Sequence, residues 1–376
     1  MTAEKSHPSE TSKHSFDQRT ESPQRPSKVA KLNGDSDVEE EDRSAFSLSE
    51  KRMIPNPRTQ RYLIAIEYIG TRFAGAQQQS NCRTVVGALE AAFKNFIGQP
   101  VSIFCSSRTD AGVHALSNVC HVDVERISKR KPGEVLPPHE PEVVKRAVNH
   151  FLQKNEGDVT VIDVCSVAAD FHARYKAKER TYFYRILSGS EPLSTFEKDR
   201  AWHVPEELDL FSMQQACRIL AGHHDFSSFR AAACQAKSPV RTLDELSVTE
   251  VVSSPYFPST SERKPSGAVM NGLPDTLNSV IPNLEGRREF GIRRRHRCLV
   301  VTARARSFLY HQVRLLVGAL KAVGTGDLTV PDVQRILDAK TVTAASPMAP
   351  ACGLYLGHVK YDLPPPPETE GSEKTI

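Results

Sequence analysis

The apolar residues of this chain change their spacing in a set order. Arg61–Tyr68 (Arg-Tyr-Leu-Ile-Ala-Ile-Glu-Tyr) reads as a strand. Thr84–Ile97 follows, with Val86, Leu89, Phe93 and Ile97 recurring at three and four residues, the period of a helix face. Val101, Ile103 and Phe104 read as a strand, and Val119–Val124 alternates as another. Glu142–Leu152 predicts a second helix and Val159–Ser166 a further strand. The order is strand, helix, strand, strand, helix, strand.

That order is the ferredoxin-like pattern, an α+β arrangement. The second half repeats the idea. Arg180–Ser188 predicts a strand, Leu210–Ala221 a helix and Thr242–Val252 a strand. Residues 253–287 are rich in Ser, Pro, Asn and Gly and read as a loop insertion. Cys298–Ala305 is a strand, and Leu309–Val323 a mostly apolar helix that stops at Gly324. Pro331–Ala339 predicts a short helix and Gly353–Tyr361 a last strand. The expected domains are 60–178 and 179–362. The tails, 1–59 and 363–376, hold too little apolar surface to order themselves.

Composition excludes several classes. No apolar run approaches the ~20 residues of a membrane-spanning helix, so no membrane partner is expected. The eight cysteines form no Cys-x-x-Cys pair, and read as thiols in a reducing intracellular compartment, not as a zinc site or disulfide scaffold. No Gly-rich phosphate loop is found, and no metal or other cofactor is expected. Adjacent His223 and His224 read as surface residues at a helix end.

The net charge is only +4, but its distribution is uneven. Residues 35–42 are acidic, so the remainder is more basic than the total. Arg287, Arg288, Arg293, Arg294, Arg295, Arg297, Arg304 and Arg306 crowd one segment. Such a cluster fits phosphate contact, and also fits an ordinary solvated strand. The early Glu4 and Glu10 argue against a transit peptide. Arg25–Leu32 is a faint nuclear-signal candidate.

The two strands around residue 110 are joined by Ser106-Ser107-Arg108-Thr109-Asp110-Ala111-Gly112-Val113-His114-Ala115-Leu116. A carboxylate on a loop of small residues is open to a large substrate. Arg108 is placed to hold Asp110 ionised, since a nearby cation lowers a carboxylate pKa. An ionised, positioned carboxylate suits covalent attack at a sugar carbon. The same string also reads as a turn, with Asp110 capping a backbone amide and Gly112 left-handed, and on spacing alone the turn is the more ordinary reading.

The string resembles the signature of the TruA family of tRNA pseudouridine synthases. Further strings resemble the family in the same order. They are Tyr68–Gly75 with Gln77-Gln78-Gln79, Phe171–Arg174 with Arg180–Arg185, Asp225–Arg230 with Ser238–Arg241, Phe308–Arg314, and Gly353–Leu356. Together they run from about residue 60 to residue 362.

The resemblance implies isomerisation of uridine in the tRNA anticodon stem-loop, without a cofactor, by a homodimer. It implies antiparallel sheets side by side with the site in the cleft between two domains. It implies Asp110 as catalytic carboxylate, acting either at the sugar C1′ or as a base at C2′. Arg314 becomes its salt-bridge partner, Tyr182 the ring that stacks on uracil, Arg108 the residue that holds the base out of the helix, and Leu354 a cleft-lining side chain. Tyr182 and Tyr184 share a strand face, so one of them is a candidate structural residue. Ala76 stands where the family usually has tryptophan. A non-catalytic RNA-binding or tRNA-chaperone protein on the same fold is the rival reading. A nucleoside or glycoside hydrolase is less suited, since no second carboxylate stands out.

Overall fold

The structure, a computed structural model, describes residues 58–131, 133–251, 296–345 and 347–363. The predicted insertion, nearly all of both predicted tails, and Arg287, Arg288, Arg293, Arg294 and Arg295 lie outside them.

The first half runs β1 (Thr59–Tyr68), α1 (Val85–Ile97), β2 (Ile103–Cys105), β3 (His114–Glu125), α2 (Pro141–Asn155) and β4 (Val159–Val167). Each boundary has a local cause. Thr84 caps α1, its hydroxyl accepting from the Gly87 amide at 3.1 Å, and Gly98 ends it in the left-handed region. Val86, Leu89 and Phe93 are buried on one face of that helix. Leu89 and Phe93 are fully buried, and each contributes about 1.5–3 kcal/mol.

The second half runs β5 (Glu179–Ser188), β6 (Trp202–Val204), α3 (Leu210–Leu220), β7 (Gly222–Asp225), β8 (Val240–Val251), β9 (Arg297–Ala305), α4 (Gln312–Gly324), α5 (Val330–Ala339) and β10 (Leu354–Lys360). Helix α4 starts three residues later than its apolar run predicts. The Gln312 amide there donates to the Leu309 carbonyl, and that turn uses up the first apolar residues. His223 and His224 sit on β7, not at a helix end. His223 Nδ1 lies 2.9 Å from Thr242 Oγ1, and His224 Nε2 lies 2.8 Å from the Ala221 carbonyl.

The ten strands of the described residues belong to one sheet, ordered β4-β1-β3-β10-β5-β9-β8-β7, with β2 on β3 and β6 on β5. Each half therefore uses one strand order. Strands β4-β1-β3-β2 in the first half correspond to β10-β5-β9-β8 in the second, to which β7 is added. The expectation of two antiparallel sheets side by side is replaced by one mixed sheet. Strand β3 is long enough to share one edge. Its residues Cys120, His121 and Val122 pair with β2, and His114 and Ala115 pair in parallel with Tyr355 and Leu356 of β10, in that order. The loop 106–113 leaves the sheet at β2 and re-enters it where β10 arrives. It thus stands at the seam between the halves.

Candidate active site

Residues 106–113 are held from both halves. Within the first half, Tyr68 Oη is 2.8 Å from Thr109 Oγ1, and Asn118 Nδ2 donates to Tyr68 Oη and to the Ser107 carbonyl. The Ala76 amide donates to the Thr109 carbonyl at 3.0 Å. From the second half, Arg180 Nε donates to Ser107 Oγ, and its Nη2 donates to the Ser106 carbonyl, both at 2.9 Å. Gly112 takes φ +78°, the left-handed turn anticipated from sequence. Gly70 allows the loop to close in, because a Cβ there would stand 1.9 Å from the Val113 carbonyl oxygen.

Among the described residues, no backbone amide caps the Asp110 side chain. Its Oδ2 lies 3.2 Å from His311 Nε2 and 3.8 Å from Arg314 Nη1. The carboxylate stays 29% exposed, against 16% for His311 and 12% for Arg314. The acid is therefore the open member of the cluster, and the cations lie behind it. Arg314 Nε donates to the Ala349 carbonyl at 2.8 Å, which fixes the plane of the guanidinium. Burial pushes the Asp110 carboxyl above its ordinary range, and the pull of His311 and Arg314 does not offset this. Burial pushes His311 down, against the pull of Asp110.

Arg108 does not serve Asp110. It is exposed, and the charges that act on it are those of Arg174 and, favourably, Tyr175. Thr109 turns into the core between the two residues, which leaves Arg108 on the rim. The sequence expectation of a carboxylate held low by Arg108 fails on both counts, partner and direction.

Tyr182 is 9% exposed, and its ring meets Phe308 edge-on at 5.1 Å. Its hydroxyl shares a hydrogen bond with Ser107, and the charge of Asp110 reaches it. Tyr184 is fully buried and donates to the Pro350 carbonyl at 2.8 Å, a structural role. Leu354 opens β10 opposite Tyr184 and is 6% exposed. The structure thus gathers Asp110, Arg314 and Tyr182 around one loop, places Leu354 on the strand at the seam, and sets Arg108 apart at the edge.

His311 was not singled out from sequence. It takes φ +62° at the N-cap of α4, and its ring stacks on Tyr310 with centroids 3.7 Å apart. A non-glycine residue held there is strained by about 1–3 kcal/mol, and such strain clusters at functional sites. The only advance signal was a histidine three residues before Arg314.

The rim is basic. Arg108, Arg174 and Arg306 have no carboxylate partner among the described residues. Arg297 pairs with Glu250, and Arg304 with Glu179 and Glu245, so these two arginines of the crowded segment are already neutralised. Among the described residues, no three His, Cys, Asp or Glu side chains gather as a metal site. No helix there is long and apolar enough to cross a membrane.

Residues 64–176 and 216–362, covering both sides of the seam, match the family described as tRNA pseudouridine synthase. The chain belongs to that family. Its relatives include the tRNA pseudouridine synthase A of Rhodospirillum centenum, 39% identical over 302 residues, which are 80% of this chain and 100% of the relative. The tRNA pseudouridine synthase A of Parvibaculum lavamentivorans is 37% identical over 80% of this chain and 99% of its own length. That of Caulobacter is 38% identical over 80% and 98%. The matched span of this tRNA pseudouridine synthase family member takes in Asp110, His311 and Arg314 alike.

Proposed function

We propose that the chain isomerises uridine to pseudouridine in tRNA, with Asp110 as the reacting carboxylate. The C1′–N1 bond breaks, the uracil turns, and C5 bonds to C1′. C5 loses its proton and N1 gains one, so atoms balance without a co-reactant. Asp110 acts either as nucleophile at C1′ or as base at C2′, and both routes need it ionised.

The observation that carries this reading is the Asp110 carboxylate at the seam, open on one side and backed by His311 and Arg314. The charge of Arg314 favours the ionised acid, against burial. Tyr182, its ring set by an edge-on contact with Phe308, stacks on the uracil, and stacking of about 1–3 kcal/mol per base offsets much of the cost of unstacking. Arg108, on the rim, holds the base out of its helix, and Leu354 lines the apolar side of the cleft. Arg108, Arg174 and Arg306 supply phosphate contacts. We read residues 60–178 and 179–362 as two domains that share the sheet, the target uridine as one of the anticodon stem-loop, and the working form as a homodimer.

The test incubates wild-type protein and Asp110→Ala with uridine-labelled tRNA transcripts. Pseudouridine from the wild type alone supports the reading. Equal product from both removes Asp110 from its role, and free uracil marks a hydrolase instead. Sedimentation of the full chain checks the homodimer.

A further inference from the structure

Phe104 stands on the three-residue strand β2 and is 51% exposed. Its neighbours Ile103 and Cys105 turn to the other face, toward α1. A single exposed aromatic needs no explanation, but this one heads a row. Its ring stacks on that of its cross-strand partner His121, with centroids 5.2 Å apart and planes 16° from parallel. It lies 6.2 Å from His172, which lies 4.3 Å from Tyr175.

Both histidines in this row are neutral. His121 Nδ1 accepts from the Ala173 amide, and His172 Nδ1 from the Arg174 amide, at 3.2 and 3.1 Å. A protonated imidazole has no lone pair for either bond. Burial pushes His121 down to about 3 and His172 to about 4, in agreement. The surface is therefore aromatic and uncharged near neutral pH, with Phe104 nearly parallel to His121 and the rings of His172 and Tyr175 tilted 40° to each other.

Its flanks are cationic. The Arg174 guanidinium stands 5.9 Å over the Tyr175 ring, and Arg108 is close enough for the charge of Arg174 to disfavour its own. The acid that reaches His121 is Asp123, already held at both oxygens by Arg61 at 2.6 Å. The row is also tied to the Asp110 loop, because Arg180 Nη2 donates to both the Ser106 and the Arg174 carbonyl. Neither Phe104 nor His172 makes ring contact with Tyr182 or Phe308 among the described residues.

We infer that Phe104, His172 and Tyr175 form a second stacking platform, which receives an unpaired base of the bound RNA other than the target uridine, with Arg174 and Arg108 on the adjoining phosphates. A neutral aromatic slab bordered by unopposed guanidiniums is the chemistry that holds single-stranded nucleotides. The inference rests on the RNA reading above, and concerns a different surface of the same cleft face.

The experiment measures the Kd of a fluorescent tRNA transcript for the wild type, Phe104→Ala, Phe104→Leu and Phe104→Trp. Loss of one stacked base raises Kd by about 5- to 150-fold. The platform predicts that rise for both Ala and Leu, and near-wild-type binding for Trp. Leu keeps apolar bulk without a π-face, so it separates stacking from packing. A Kd for Phe104→Leu within about twofold of wild type overturns the platform. So does unchanged RNA binding with a shift in sedimentation, which makes the face a contact between copies. A wild type that forms no pseudouridine, yet shows the Phe104 effect, sinks the proposed activity and leaves the platform standing.

Discussion

The loop between β2 and β3 and the connection from β9 to α4 meet at one point, although they sit at different stations of the same strand order. The first half spends its β2–β3 loop, residues 106–113, on the carboxylate. The second half's counterpart of that loop, between β8 and β9, runs mostly outside the described residues. It contributes to the site one step later, at residues 306–314, with His311 and Arg314. Repeated topology therefore did not produce a repeated site. Strand order decides where loops emerge, and the residues on those loops decide the chemistry. The cluster holds opposite charges because one half brings the acid and the other the bases.

The sharpest way to break that comparison is Arg314→Gln. If the second half supplies an indispensable cation, kcat falls by roughly 100- to 1,000-fold, the cost of leaving a partly buried carboxylate without its guanidinium. Lys145→Gln on α2, a first-half helix away from the seam, leaves kcat unchanged. Comparable losses in steady-state assays of the two would dissolve the contrast. Gly70→Ala comes next and tests whether the first half positions its own loop. A Cβ 1.9 Å from the Val113 carbonyl costs about 3–5 kcal/mol or prevents folding, read by urea unfolding. Gly326→Ala costs only about 1 kcal/mol, because nothing lies within 4 Å and φ +80° is the sole penalty.

His311→Gly is smaller and more informative. Glycine accepts φ +62° freely, so the backbone is kept and only the imidazole is lost. A drop in kcat of roughly 10-fold is expected, the worth of one contact to a charged group. The pH profile carries the sign. His311 lowers the Asp110 pKa, so its removal moves the acidic limb of kcat to higher pH. A limb that stays in place would show that the histidine acts on something else.

The smallest effect concerns stability. Burial raises the folded-state pKa of Asp110 above its unfolded value. The favourable contribution of that group is then complete below the unfolded pKa and lost as pH rises through the folded pKa. Relative to Asp110→Asn, the wild-type Tm should improve as pH is lowered from about 7 to about 4. A wild-type-minus-variant Tm difference that falls or stays flat as pH is lowered contradicts the raised pKa.

Elements with a long period were legible in the sequence. Helix α1 and strands β1, β4 and β5 fall within a residue or two of their predicted bounds, because each repeats its pattern for two turns or more. Strand β6 was missed, since three residues carry no period and Trp202–Val204 joins the sheet only by lying parallel to Ile186–Ser188. Strand β7 was missed because two histidines look like neither strand nor core. The gathering of Asp110, Arg314 and Tyr182 came from the resemblance to a family, not from spacing. Arg108 is not the charge partner of Asp110, as proximity in sequence stood in for proximity in space.

Local pattern alone settled the longer helices and strands, that their order occurs twice, and that a lone carboxylate sits on a loop of small residues. Those properties depend on neighbours within a few positions, where periodicity and steric preference act. Tertiary structure alone decided that the halves share one sheet, that an imidazole and a guanidinium some 200 residues downstream back that carboxylate, and that its proton is held more tightly than in water. Charge and desolvation act through space, and only the pairing of β3 with β10 puts those groups within reach of each other.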